Sequence, residues 1–168
     1  MYRKITLSVL GGLALLALTA CSNESPAAGE SPKKAAAVEL TTYKSASCGC
    51  CKQWVAHAEE SGFSVSTHDV ADLNAVKEQH AIEPRFQSCH TSVSAEGYVF
   101  EGHIPAKLIR RFLQSPPAGA RGLAVPAMPL GSPGMEYGDR FTPYQVWQLN
   151  SDGSQQVYAT ISAAGEQF

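Results

Sequence analysis

The sequence predicts an α/β fold, and three observations carry that prediction. Short β-branched and aromatic runs alternate with segments of helical period in the order β-α-β-α-β-β-α over residues 38–113. Three thiols fall within four residues, Ser47-Cys48-Gly49-Cys50-Cys51-Lys52, where the first strand pattern gives way to the first helix pattern. Beyond a Pro/Gly-rich stretch, a hairpin pattern closes the chain. The 168 residues, 44% of them hydrophobic, supply enough apolar material for one domain with a core.

Residues 1–20 read as a lipoprotein signal peptide. Arg3 and Lys4 form its charged start, and residues 5–17 form an apolar run too short and too glycine-containing to span a bilayer comfortably. Leu18-Thr19-Ala20-Cys21 resembles the bacterial lipoprotein box, in which cleavage precedes the cysteine and Cys21 is acylated. An ordinary secretory signal with an incidental cysteine is the alternative. Ser22 and Asn23, rather than an Asp directly after the cysteine, point by the same resemblance to the outer membrane and a periplasm-facing domain in the bacterial cell envelope. Residues 21–37 hold almost no large apolar side chain, so nothing there offsets ordering entropy, and they read as a lipid-anchored flexible tether. Residues 38–168 form the folded domain.

Within that domain, residues 38–43 are β-branched and aromatic and predict a strand. Ser47 is a suitable N-cap, and Trp54, Val55 and Ala58 mark one face of a helix over residues 51–61 that stops at Gly62. The cysteines therefore sit on a helix's first turn, where unpaired N–H groups and the dipole favour thiolate. Residues 63–69 alternate as a second strand, and residues 72–80 form a short helix with Leu73 and Val76 inward, stopped before Pro84. Residues 88–94 and 98–101 read as a hairpin around Ala95-Glu96-Gly97. Pro105 starts a helix whose apolar stripe is Leu108, Ile109, Phe112 and Leu113. Residues 115–143 have no regular period, but Val125, Met128, Leu130 and Met135 predict an ordered loop laid on the domain. Residues 144–149 and 156–161, joined through Asn150-Ser151-Asp152-Gly153, form the terminal hairpin.

Packing does not require cysteines to cluster, so the cluster signals shared chemistry, either redox exchange or soft-metal binding. Of the five cysteines, four remain once Cys21 is acylated. Cys50 and Cys51 are adjacent, and a bridge between neighbours is strained, so the even count does not imply a static disulfide framework. Zinc sites draw ligands from paired Cys elements on separate knuckles, whereas three of these thiols share one short window. Monovalent copper fits better: it is soft, accepts two or three sulfurs, and lets thiolates bridge neighbouring ions in a small cluster. Met128 and Met135 would add thioethers, unless each simply fills a gap in its loop. Disulfide exchange is the rival, although Cys50 would compete in every step. His57, His68 and His80 suit exposed or capping positions; His90, beside Cys89, suits either a donor to a ligand or a ligand itself, and His103, just before Pro105 at a helix start, suits a partner for a backbone group, so both stay off the ligand list. A net charge of −2 leaves no basic excess for nucleic acid. Paired carboxylates, a Ser-His-Asp set and a phosphate-binding glycine loop are not found in the sequence.

The element order, with Cys48-x-x-Cys51 at the first strand-to-helix junction, resembles the thioredoxin fold, a mixed four-stranded sheet flanked by helices. That resemblance implies that Cys89, at the start of the third strand, faces the cluster and completes a four-thiol pocket with Cys48, Cys50 and Cys51. No Trp precedes the first cysteine, as one does in thioredoxins. Cys48-Gly49-Cys50-Cys51-Lys52 with Trp54, Ser88-Cys89-His90-Thr91, Gly97-Tyr98-Val99, Glu101-Gly102-His103-Ile104-Pro105-Ala106, Gly122-Leu123-Ala124-Val125-Pro126 and Met128 through Met135-Glu136 resemble the CopG-type copper-resistance family, long known only as a domain of unknown function. Ala127 stands where that family commonly has Gly. The resemblance implies a thioredoxin-like fold, export, copper at the Cys-x-Cys-Cys motif and work alongside other copper-resistance or efflux proteins. The expected function is Cu(I) binding for copper resistance or homeostasis. Whether the copper cycles between Cu(I) and Cu(II), which would make the protein a copper oxidoreductase, is left open. The alternative is a periplasmic thiol-disulfide oxidoreductase.

Overall fold

The structure is a computed structural model and describes residues 37–168. The signal peptide, Cys21 and all of the tether but its last residue lie outside the described residues. Strand β1 (Val38–Lys44) leads into helix α1 (Gly49–Glu60), β2 (Phe63–Asp69) and α2 (Leu73–Gln79). Strands β3 (His90–Ser94) and β4 (Val99–Glu101) form the expected hairpin, followed by α3 (Ala106–Gln114), β5 (Ala120–Ala124), β6 (Tyr144–Asn150) and β7 (Gln155–Ile161). Among the described residues no helix is long and apolar enough to cross a membrane.

The sheet has seven strands, in the order β2-β1-β3-β4-β5-β6-β7, rather than the four expected. β1 pairs parallel with β2 and antiparallel with β3, and β3 pairs antiparallel with β4. The difference arises at β5, which lies in the stretch read as irregular loop. Only five residues long, it contains Gly122, a residue type depleted in strands, and prolines flank it, so no period announces it. It pairs parallel with β4 and offers its other edge to β6. The terminal hairpin β6–β7 thereby continues the main sheet.

Both sheet faces are covered, because successive strand residues point to opposite sides. Phe100 and Leu123 join Trp54, Ala58, Ile109 and Phe112 in the larger core under α1 and α3. Their neighbours Val99 and Ala124 join Ile82, Phe86 and Leu149 in a smaller core. Phe112 anchors the larger one edge-on to Phe100, with ring centroids 5.6 Å apart.

Helix α2 departs from its amphipathic reading. Leu73 and Val76 are only half-buried, and the buried residue is Lys77. Its Nζ pairs with the carboxylate of Glu101, itself fully buried, and donates to Thr91 Oγ1 at 3.1 Å. Thr91 Oγ1 in turn donates to Glu101 Oε2 at 2.6 Å. A charge can be buried here because its partner and a hydroxyl satisfy it, which a hydrophobic pattern does not reveal.

Removing one member of that pair leaves an uncompensated buried charge. Lys77→Met is expected to lower unfolding free energy by about 3–5 kcal/mol in chemical denaturation. The double change Lys77→Met with Glu101→Leu is expected to recover part of that loss, since no charge is then stranded; a double variant less stable than either single one would contradict this account.

Candidate metal centre

The site starts at the N-terminus of α1. The helix begins at Gly49 with Cys48 as its N-cap, not at Cys51 with Ser47 as the cap. Cys48 Sγ accepts from the Cys51 backbone N–H at 3.3 Å, while Ser47 Oγ is occupied by Ser45 Oγ at 3.1 Å. Capping by sulfur places Cys48 and Cys51 at the two ends of one turn, on the same side of the helix. Their Cα atoms lie 5.3 Å apart, and the two sulfurs are joined as a disulfide. The expected set of four thiols is therefore one disulfide and two thiols in this structure. Cys50 and Cys89 are the free ones, both half-buried.

Cys89 reaches the cluster through sheet register. Lys44 of β1 pairs with His90 of β3, so Cys89 falls one residue beyond the end of β1, where the chain turns into α1. Its Sγ lies 3.4 Å from Cys51 Sγ and 3.8 Å from Cys50 Sγ; Cys50 Sγ is 3.5 Å from Cys48 Sγ. All four sulfurs lie within 4.8 Å of one another. The backbone before Cys89 is fixed from two sides: Ser88 N–H donates to Glu101 Oε1 at 2.7 Å, and Ser88 Oγ donates to the Ala127 carbonyl. Gly102 makes this approach possible, since a Cβ there would stand 2.5 Å from both Ser88 Cβ and the Val125 carbonyl, and its φ is +79°.

Two histidines left out of the expected ligand set lie beside Cys89. His103 is fully buried, and its Nδ1 is 2.7 Å from the Pro133 carbonyl, which can only accept, so Nδ1 carries the proton. In the neutral ring Nε2 then presents a lone pair to Cys89 Sγ, 2.9 Å away. His90 Nδ1 is 3.4 Å from the same sulfur, and its Nε2, also buried, has no hydrogen-bond partner among the described residues. Burial lowers the pKa of both imidazoles, and for His90 the neighbouring His103 and Lys77 add to the effect. Both are therefore neutral at pH 7, the form that binds metals. The ligand atoms of Cys89, His90 and His103 lie within 4.8 Å of one another. Hairpin register could have found His103: with Thr91 opposite Glu101, the same pairing extended by two residues sets Cys89 against His103.

The Pro/Gly-rich segment closes the other side. Gly134, with φ +83°, lies so close to α1 that a Cβ would be 2.7 Å from both the Cys50 carbonyl and the Trp54 nitrogen. Met135 follows it, half-buried, and lines a cavity of about 360 Å³ with Leu130, Gly134, Glu136, Tyr137 and Arg140. Met128 is 48% exposed, and Ala127 beside it has φ +57°, a conformation that suits glycine. The remaining histidines stand apart: His68 is exposed, His80 caps α2, and His57 Nε2 accepts from Ala106 N–H at the start of α3 at 3.1 Å.

The family model described as a protein of unknown function, DUF411, matches residues 86–135. Two solved structures titled copper resistance protein copG, Form 2 and Form 1, are each 42% identical to this chain and cover 74% of it and 98% of their own length. Their TM-scores are 0.71 and 0.70. A search of the curated proteins finds no match.

Burial, followed by the adjacent Cys50, pushes the Cys89 thiol from its ordinary 9.0 up to about 12. A raised thiol pKa means that the unfolded chain gives up this proton first. The stabilising contribution is whole below about pH 9 and is lost as pH rises toward 12. Alkylation of the metal-free protein followed by peptide mass spectrometry is expected to show Cys89 modification still accelerating above pH 10. A plateau below pH 9 would show that Cys89 is not shielded as described.

Proposed function

Because the chain belongs to the family of the copper resistance protein CopG, we propose that it binds copper as Cu(I) on the sulfurs of Cys48, Cys50, Cys51 and Cys89 once the Cys48–Cys51 bond is reduced. The carrying observation is the convergence of four sulfurs from two distant chain segments within 4.8 Å. Four thiolates around a soft monovalent ion match donor to acceptor, and their crowding lets sulfurs bridge several ions in a cluster. Met135 supplies a thioether from the segment packed on α1. Met128, on the exposed side of that segment, contributes less. Cargo of this kind serves copper resistance or homeostasis, with copper exchanged with other resistance or efflux proteins. The β2-β1-β3-β4 half of the sheet, with Cys48 and Cys51 at the start of α1, supports a thioredoxin-like reading of the domain. Arg3, Lys4 and the Leu18–Cys21 sequence support export and a lipid anchor at Cys21, facing the periplasm.

One observation favours a second reading. The Cys48–Cys51 disulfide, with the Cys89 sulfur 3.4 Å from Cys51 Sγ, is an arrangement that thiol-disulfide exchange could use. The same bond takes up two electrons on opening to two thiolates, the number that two Cu(I) ions release in becoming Cu(II), which supports cycling of the copper.

A phosphine reduces the disulfide in water, passing two electrons and two protons to Cys48 and Cys51 while the phosphine becomes its oxide. After the phosphine is removed, anaerobic Cu(I) titration against a chromogenic chelator is expected to show uptake of more than one ion per chain. Cys89→Ser is expected to lower that stoichiometry, since a hydroxyl is a poor soft-metal ligand, while Met128→Leu leaves it unchanged. Unaltered stoichiometry and affinity in Cys89→Ser would remove Cys89 from the site. Catalytic disulfide turnover without tight copper uptake would establish the second reading instead.

A further inference from the structure

With Cys48 and Cys51 bonded to each other, the pocket still holds donors of a different kind, grouped around Cys89. Two thiols remain, Cys50 and Cys89, with sulfurs 3.8 Å apart. Two neutral imidazoles face Cys89: His103 Nε2 at 2.9 Å and His90 Nδ1 at 3.4 Å. Tetrahedral geometry with bonds of about 2.3 Å to sulfur and about 2.0–2.1 Å to nitrogen sets sulfurs roughly 3.8 Å apart and sulfur roughly 3.6 Å from nitrogen. The Cys50–Cys89 and Cys89–His90 separations are already close to these values. His103 needs to draw back by a fraction of an ångström.

The remaining features fit the same use. A metal-bound imidazole characteristically donates its other N–H to a carbonyl, as His103 Nδ1 does to Pro133. His90 packs against Trp54 and His103, with ring centroids at 4.4 and 5.0 Å, which fixes the ring that presents Nδ1 to Cys89. Charge separates this donor set from the reduced one. Two thiolates neutralise one divalent ion, so the filled site carries no net charge, which a buried position favours. A mixed set of two sulfurs and two nitrogens also suits a borderline ion better than a soft monovalent one.

We propose that the disulfide form of the pocket is a second metal site, in which Cys89, His103 and His90, whose ligand atoms lie within 4.8 Å of one another, take one divalent ion of the zinc and cobalt(II) class and the Cys50 sulfur, 3.8 Å from Cys89 Sγ, closes onto it as the fourth ligand. The state of the Cys48–Cys51 bond then decides whether the pocket receives a soft monovalent cargo or a borderline divalent one. This inference rests on the proposed copper reading for the reduced pocket only, and the two can fail separately.

The test uses the purified chain with the Cys48–Cys51 bond verified by mass spectrometry, titrated anaerobically with cobalt(II) chloride, which reports geometry and does not oxidise thiols. The expected result is one cobalt per chain, with thiolate-to-cobalt charge-transfer absorption and the intense visible bands of a four-coordinate site, all displaced by zinc. His103→Asn keeps a donor for the Pro133 carbonyl and deletes the ligand nitrogen. It is expected to weaken cobalt binding by the oxidised chain at least tenfold. The double variant Cys48→Ser with Cys51→Ser keeps the four donors without the disulfide and is expected to give the same cobalt spectrum. Absence of these bands in both the oxidised chain and the double variant, or bands unaffected by His103→Asn, would overturn the second site. Failure of the reduced chain to take up Cu(I) would overturn the copper reading and leave the cobalt result standing.

Discussion

Everything at the site depends on β3 lying between β1 and β4 in one register. The Lys44–His90 pairing puts Cys89 at the mouth of the β1–α1 turn, and the Thr91–Glu101 pairing carries His103 up beside it. The register is itself secured below the site. Glu101 accepts from Ser88 N–H and is held by Lys77 and Thr91, so a buried ion pair tethers the residue preceding Cys89. Such a pair adds little net stability compared with an apolar filling, but its breakage is costly, and that asymmetry favours one arrangement over slipped ones. At this position a one-residue slip would turn Cys89 away from three sulfurs.

Much of this was legible in the chain. Clustered thiols at a strand-to-helix junction located the site, and the hairpin at residues 88–101 appeared from alternation alone. What escaped notice did so for identifiable reasons. β5 is short, contains Gly122 and is flanked by prolines, so it is recognisable only by the two strands it joins. Lys77 is a polar residue whose burial depends on a carboxylate 24 positions away, which no local pattern encodes. The cap of α1 is a sulfur rather than the better-suited Ser47, because the fold draws Cys48 toward Cys51. His103 follows from the hairpin register, although its place just before Pro105 equally suits a partner for a backbone group at a helix start.

The pocket's chemistry follows from how it is enclosed. Gly134 and Pro133 press the Pro/Gly-rich segment onto the first turn of α1 and onto His103, so that segment walls the sulfurs on the side opposite β3. Enclosure has two consequences. It raises the pKa of the Cys89 thiol and lowers that of both imidazoles, so all three are uncharged when no metal is bound. A helix start, whose unpaired N–H groups favour thiolate, stands directly across from a strand start that does not. The cluster thus joins one side suited to anionic sulfur with one suited to neutral nitrogen, and the Cys48–Cys51 bond lies on the first.

The proposed site puts copper on sulfur drawn from both segments. Copper K-edge X-ray absorption of the reduced, Cu(I)-loaded chain, compared with Cys89→Ser, tests it most directly. Copper surrounded by sulfur alone, with copper–copper scattering, is expected, together with loss of sulfur neighbours when Cys89 is replaced. A first shell dominated by nitrogen or oxygen, or one that Cys89→Ser leaves unaltered, would contradict it.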